Sequence, residues 1–312
     1  MENKIVVVCG PTASGKTKLG VSLAKALDGE VVSADSMQIY RGMDIGTAKP
    51  TEEEMDGVPH HMLDVADPWE NYSVARYVKE ASLCVDEILQ RGRLPIVVGG
   101  TGLYIDSLCR GLDFASESPD GALRQSLQEE ASTLGTKALW DRLTQIDPEA
   151  AGRLHPNDEK RIIRALEVYY QTGKTITQHN IETKARPPRY ERAAIGLSFV
   201  NREDLRARIN RRVDEMVQGG LEEEVRRLLA SGLSRSCTAM QAIGYKELAA
   251  CLEEGLPMEA AVEEIKLRSR QYAKRQLTWF RRSQDVHWVF WEKTPNFPIG
   301  LQNSISFLQG VL

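Results

Sequence analysis

The sequence predicts an α/β fold built on a parallel sheet, and two observations predict it. Short runs rich in β-branched residues alternate with segments whose apolar residues recur at helical spacing. The first of these runs leads straight into a glycine-rich loop that opens a helix. Ile5-Val6-Val7-Val8-Cys9, bounded by Gly10-Pro11, reads as a buried strand. Leu19, Leu23 and Leu27 recur at i+4 and give a helix from about Lys16. Val31-Val32 reads as a second strand ending near Asp35, and a polar loop follows through Gly42, Gly46 and Pro50. Val74, Val78, Ala81, Val85 and Ile88 mark the next helix, and Pro95-Ile96-Val97-Val98 a third strand stopping at Gly99-Gly100. Residues 113–192 carry helical patterning, few β-branched runs and a polar stretch ending at Pro187-Pro188, so a helical insertion is expected there. The core resumes at Ala194-Ile195-Gly196-Leu197, with helices around 205–217, 221–230 and 260–282 and a last strand over 286–291. The expected plan is a first part of the core over 1–112, an insertion over 113–192, and over 193–312 a continuation of the core with basic C-terminal helices.

Composition removes several classes. The 312 residues are 42% hydrophobic and 27% charged, which suits a globular protein with a sizeable core. Five cysteines without CxxC spacing argue against a disulfide framework or a zinc ribbon and fit a reducing cytoplasm. The five histidines show no ligand spacing. The apolar run at residues 5–9 is too short for a signal peptide, and no segment reaches 18 apolar residues, so no membrane association is expected. A net charge of −4 speaks against nucleic acid, but the halves differ. Residues 1–152 hold 14 Lys/Arg against 24 Asp/Glu, whereas residues 153–312 hold 26 against 20. Such asymmetry marks either a polyanion surface or scattered solvated charge.

Gly10-Pro11-Thr12-Ala13-Ser14-Gly15-Lys16-Thr17 matches G-x-x-x-x-G-K-[ST] between a strand and a helix. Glycines let backbone N–H groups converge, the helix start adds partial positive charge, Lys16 adds a full one, and the Thr17 hydroxyl can reach Mg²⁺. This loop makes the core P-loop NTPase-like. It specifies a di- or triphosphate without specifying a nucleotide. The third strand ends in Gly99-Gly100 where common NTPases carry an Asp, and no Asn-Lys-x-Asp guanine signature occurs. Asp35 follows the second strand and should lie beside the loop at the carboxyl edge of the sheet. From the residues alone it is a metal ligand, a general base or a loop-capping Asp.

Several blocks then carry a resemblance. Gly10–Thr17, Asp35-Ser36-Met37-Gln38-Ile39-Tyr40 and Gly46-Thr47-Ala48-Lys49-Pro50 come first. Gly99-Gly100-Thr101-Gly102-Leu103-Tyr104, His155-Pro156-Asn157-Asp158 with Arg161 and Arg164, Ala242-Ile243-Gly244-Tyr245, and Arg270-Gln271-Tyr272-Ala273-Lys274-Arg275-Gln276 follow in order. Together they resemble the tRNA dimethylallyltransferase, or tRNA isopentenyltransferase, family. The absence of a zinc finger found in some eukaryotic relatives points to the shorter bacterial type. The resemblance implies transfer of a dimethylallyl group from dimethylallyl diphosphate to the exocyclic N6 amine of the adenosine 3′ to the anticodon, position 37, with release of pyrophosphate. Asp35 would then be the base, and Lys16, Thr17, Mg²⁺ and Arg212 would neutralise the diphosphate held by residues 10–17. The implied tRNA contacts, to the anticodon stem-loop, are Asp35, Ser36, Met37, Gln38, Thr101, Arg124, Glu159, Lys160, Arg161, Ile162, Ile163, Gln241, Gly244, Lys246 and Lys274. The enzyme is expected to act as a monomer.

Residues 266–282 contain seven Lys/Arg and no acid, and Lys266, Arg270 and Lys274 share one helix face, with Tyr272, Trp279 and Phe280 interleaved. That pattern suits RNA, although aromatics at helical spacing also build cores. Two other readings remain open at this stage. An ATP-dependent kinase would use the same loop and Asp35 toward a hydroxyl. A non-catalytic RNA-binding module would leave both idle.

Overall fold

A computed structural model describes residues 3–112 and 121–312. The chain divides into two compact units, one comprising residues 1–111 and 189–312 and the other residues 112–188.

The larger unit contains β1 (Lys4–Cys9), α1 (Lys16–Ala26), β2 (Gly29–Ser33), α2 (Glu52–Met55), β3 (His60–His61), α3 (Val74–Gln90), β4 (Leu94–Gly99) and α4 (Gly102–Arg110). The smaller unit consists of α5 (Gly121–Leu134), α6 (Thr136–Ile146), α7 (Pro148–Arg153), α8 (Glu159–Thr172) and α9 (Ile176–Ala185). The larger unit then continues with β5 (Glu191–Phe199), α10 (Arg202–Gln218), α11 (Leu221–Ala230), a 3₁₀ turn at Ala239–Gln241, α12 (Tyr245–Glu254), α13 (Met258–Phe280), β6 (Val286–Trp291) and α14 (Phe297–Gln309). β5 begins inside the stretch that patterning assigned to the insertion.

Six strands form one all-parallel sheet in the order β3-β2-β4-β1-β5-β6. β1 and β4 are buried at every position or nearly so, as expected of strands covered by helices on both faces. The chain leaves β1 toward β2 on one side and leaves β4 toward β5 on the other. The order therefore reverses between β1 and β4, the place where open α/β sheets bind ligands. Val6, Val8, Ile96, Val98, Ile195 and Leu197 face Leu19 and Leu23 of α1 in the core. Removing such side chains would cost about 2–5 kcal/mol each.

The smaller unit has its own core of Leu127, Leu139, Leu143, Ile162, Ile163 and Leu166. Ile162 and Ile163, expected to face tRNA, are fully buried there, because the apolar stripe of α8 is the stripe its neighbours cover. Among the described residues no helix is long and apolar enough to cross a membrane.

Candidate active site

The phosphate loop joins β1 to α1, and side chains hold it from several directions. Ala13 adopts φ 62° and Gly15 φ 91°, a left-handed conformation that glycine tolerates and alanine holds only when its surroundings enforce it. Those surroundings are visible in the loop's carbonyls. Arg208 Nε donates to Ala13 O (3.1 Å), Trp291 Nε1 to Ser14 O (2.8 Å), and Ser14 Oγ to Pro11 O (2.8 Å). With carbonyls tied outward, the amides at the start of α1, which lack intrahelical partners, are left for an anion.

The loop opens on a cavity of about 800 Å³ lined by Thr12, Lys16, Thr17, Asp35, Arg212 and Tyr272, among others. Lys16 and Arg212 meet there with Asp35, Glu54 and Glu215 also in the wall, but neither forms an ion pair among the described residues. The Lys16 ammonium donates to Pro11 O (2.8 Å), and its pKa is pushed down to about 8, first by burial and then by the neighbouring Arg212. Arg212, from α10, is held below its ordinary value by burial, opposed by Asp35, Glu54 and Glu215. It forms no ion pair among the described residues. Desolvated, uncompensated positive charge costs free energy unless an anion joins it. The phosphate loop and these two cations make the cavity suited to an anion.

Asp35 follows β2. Its Oδ1 accepts from the N–H groups of Met37 (2.9 Å) and Gln38 (3.4 Å), the turn-capping geometry considered from sequence. No described residue donates to Oδ2, so the cap and the base readings are compatible: one oxygen fixes a carboxylate that lines the cavity, and the other is left without a donor. Thr101 Oγ1 accepts from Ser36 N (3.1 Å), fastening the loop after β4 to the loop after β2. At Gly99 a Cβ would lie 2.2 Å from Ala34 O, which explains a Gly where other phosphate-loop proteins have an acid.

Several residues expected at tRNA are otherwise engaged. The Gln38 amide bridges Ser33 Oγ, Thr47 O and Ala48 O, so it shapes the cavity wall. Arg124 forms a bidentate pair with the buried Glu167 (2.7 Å twice), and Arg161 pairs with Asp158. Lys266 is bound to Asp214 (2.8 Å) and Glu263 (2.9 Å), and Arg270 donates to Asn210 Oδ1 (2.6 Å). The shared face of Lys266 and Arg270 thus packs on α10, and of that triad only Lys274 is exposed and without a side-chain partner among the described residues. Phe280 is core, while Trp279 is partly exposed and donates to Asp106 (2.8 Å). Lys160, Lys246 and Gln241 are exposed, the last donating to Arg235 O (2.6 Å), and Glu159 accepts weakly from Thr136 (3.4 Å). Met37 and Gly244 line the cavity.

Sequence reasoning missed two supports. Gln276 of α13 accepts from Thr12 N (2.9 Å) and donates to Gly100 O (3.0 Å). Glu224 of α11 is 3% exposed and accepts from the backbone N–H groups of Asp44, Ile45 and Gly46 and from the Tyr245 hydroxyl. No local pattern announces either, since the partners lie far apart in the chain.

For Mg²⁺ the fit is that of a substrate-borne ion. Among the described residues no group of three His, Cys, Asp or Glu side chains could hold a metal. The Thr17 hydroxyl lines the cavity and suits an ion that keeps most of its contacts to phosphate oxygens and water.

Likenesses to known proteins agree with this geometry. Residues 38–283 match the family described as IPP transferase, and residues 3–67 match isopentenyl transferase. A tRNA dimethylallyltransferase of Caldanaerobacter subterraneus is 48% identical over 100% of this chain and 99% of that relative. One from Geobacillus thermodenitrificans is also 48% identical, over 100% and 98%. The crystal structure of full-length tRNA isopentenylpyrophosphate transferase from Bacillus halodurans superposes with TM-score 0.74 at 45% identity, covering 99% of this chain and 96% of that one. A eukaryotic dimethylallyltransferase acting on tRNA gives TM-score 0.84 at 29% identity, covering 99% and 80%. The kinase alternative gains nothing from these likenesses. The chain belongs to the tRNA dimethylallyltransferase family.

Proposed function

We propose that this protein is a prenyltransferase that moves a dimethylallyl group from dimethylallyl diphosphate to N6 of the adenosine 3′ to a tRNA anticodon, position 37. The observation that carries the reading is one cavity holding a phosphate loop, two unpaired cations and a carboxylate with a free oxygen. The bond between the allylic C1 and the diphosphate oxygen breaks, the bond from N6 to C1 forms, and pyrophosphate leaves. Lys16, Arg212 and the loop amides stabilise negative charge growing on the leaving group. Asp35 Oδ2 accepts the N6 proton, which a weakly nucleophilic amine must shed as it attacks. Thr17 would hold Mg²⁺ together with diphosphate oxygens, and the ion would supply further charge neutralisation.

The acceptor base must leave its stack to reach the cavity. Lys274, Lys246 and Lys160, exposed and without an ion pair among the described residues, are the proposed phosphate contacts, with Thr101 near the acceptor nucleotide. Five free cysteines and a tRNA substrate support a cytoplasmic location. The test is incubation with labelled dimethylallyl diphosphate and unmodified tRNA followed by nucleoside analysis. Label on N6 of the adenosine is expected; label nowhere in the tRNA overturns the reading.

A further inference from the structure

Donor and acceptor loops do not sit on neighbouring strands. The phosphate loop follows β1, Asp35 follows β2, and β4 lies between them in the sheet. In-line transfer needs the attacking nitrogen and the allylic carbon within about 3–3.5 Å at the right angle, and an error of about 1 Å costs on the order of 100-fold. Strand pairing through β4, continued by Ala34 N to Val98 O and Thr101 N to Ala34 O, fixes the backbone as far as Thr101, and side chains must carry the spacing from there to the phosphate loop.

A continuous run of hydrogen bonds spans the gap. Gln276 Oε1 accepts from Thr12 N in the phosphate loop (2.9 Å), and its Nε2 donates to Gly100 O after β4 (3.0 Å). The next residue, Thr101, accepts from Ser36 N (3.1 Å) and donates to Ser36 Oγ (3.4 Å), beside Asp35. Gln276 is 6% exposed, and both ends of its amide are occupied, so the side chain has one orientation. Tyr272, one turn earlier on α13, lines the same cavity wall as Gln276. A Cβ at Gly100 would come within 2.1 Å of Gln276 Nε2, so a side chain there would displace the amide from its present place. The Thr12 amide, engaged by Gln276, is not free to face an anion.

We infer that Gln276 is a positioning residue which, through Gly100 and Thr101, sets the distance between the diphosphate donor and the acceptor amine. The inference rests on the prenyl-transfer reading above. The test compares Gln276→Met, which keeps size and loses both hydrogen bonds, with the parent enzyme. Equilibrium binding of pyrophosphate and of tRNA is expected to change by less than about 3-fold, while the single-turnover rate at saturating substrates falls about 10–100-fold. Thr101→Val should lower the same rate, and the double variant should fall little below the worse single, because both break one strap. Gln276→Glu, which can accept from Thr12 but not donate to Gly100, carries the same comparison if the Met variant does not fold. A saturated rate within 3-fold of the parent, or a rate loss matched by weaker pyrophosphate binding, overturns the inference. Should the parent enzyme itself transfer no label, the functional reading fails and Gln276 is not the cause.

Discussion

Lys16 should make the proposed diphosphate site pH-sensitive in a way that can be separated from the ligand's own titration. Burial beside Arg212 lowers its pKa from the ordinary 10.5 to about 8. Below pH 8 the free enzyme presents an ammonium; above it, the amine is neutral. An incoming diphosphate raises that pKa, so binding above pH 8 must take up a proton. Affinity for pyrophosphate is then expected to weaken about 10-fold between pH 7 and pH 9 through this group alone. Stability of the free protein moves the opposite way. The unfolded chain keeps the Lys16 proton until about 10.5 while the folded chain has released it, so unfolding takes up a proton and stability rises between pH 8 and 10.5. The assay is calorimetric titration of pyrophosphate at fixed ionic strength from pH 7 to 9, in buffers of different ionisation enthalpy, with Lys16→Arg as the reference that stays charged. A wild-type affinity profile parallel to that of Lys16→Arg, without proton uptake, would refute the reasoning.

Three further outcomes are expected. Asp35→Asn preserves the Oδ1 cap for Met37 and Gln38 but removes the base, so transfer should fall about 10²–10⁴-fold with tRNA affinity nearly unchanged; activity surviving within a few-fold removes Asp35 from that role. Lys274→Ala should reduce the salt slope of tRNA binding by about 0.7–0.9, whereas Lys266→Ala, already neutralised by Asp214 and Glu263, should leave the slope in place; equal slopes for the two variants would contradict the assignment of faces. Glu224→Ala strands the amides of Asp44, Ile45 and Gly46 and the Tyr245 hydroxyl, at about 3–5 kcal/mol of stability in urea unfolding.

The sheet core was legible because buried parallel strands are short apolar runs and because the loop signature fixes what flanks it. The edge strand Val286–Trp291 emerged with the bounds expected. α14 was missed: its start, Asn296 capping Ile299 N with proline in the first turn, lies in a Pro-rich stretch that reads as loop. α12 is short and begins after Gly244 at φ 98°, where local pattern predicts a break. At the site, spacing correctly put Lys266 and Arg270 on one helix face. It could not show that the face meets Asp214 and Asn210 of α10, because that is a tertiary fact. Ile162 and Ile163 are the converse case. Their apolar periodicity alone predicts burial, and a matching motif nevertheless drew them into the RNA list.

Pairing, rather than net charge, decides where anions go in this molecule. The second half is richer in Lys and Arg, yet several of its cations are neutralised within the fold, as Lys266 is by Asp214, Arg192 by Asp106 and Asp285, and Arg235 by Glu253. The first half is acidic overall, but its phosphate loop carries Lys16 with no acid bonded to it, and α10 brings Arg212 beside it in the same condition. A buried unpaired cation raises the free energy of the empty site, and a bound diphosphate relieves that cost while an ion pair within the protein would have removed it beforehand. The field proposed to capture the donor is therefore made in part by withholding ion-pair partners from Lys16 and Arg212, an arrangement that composition averages away.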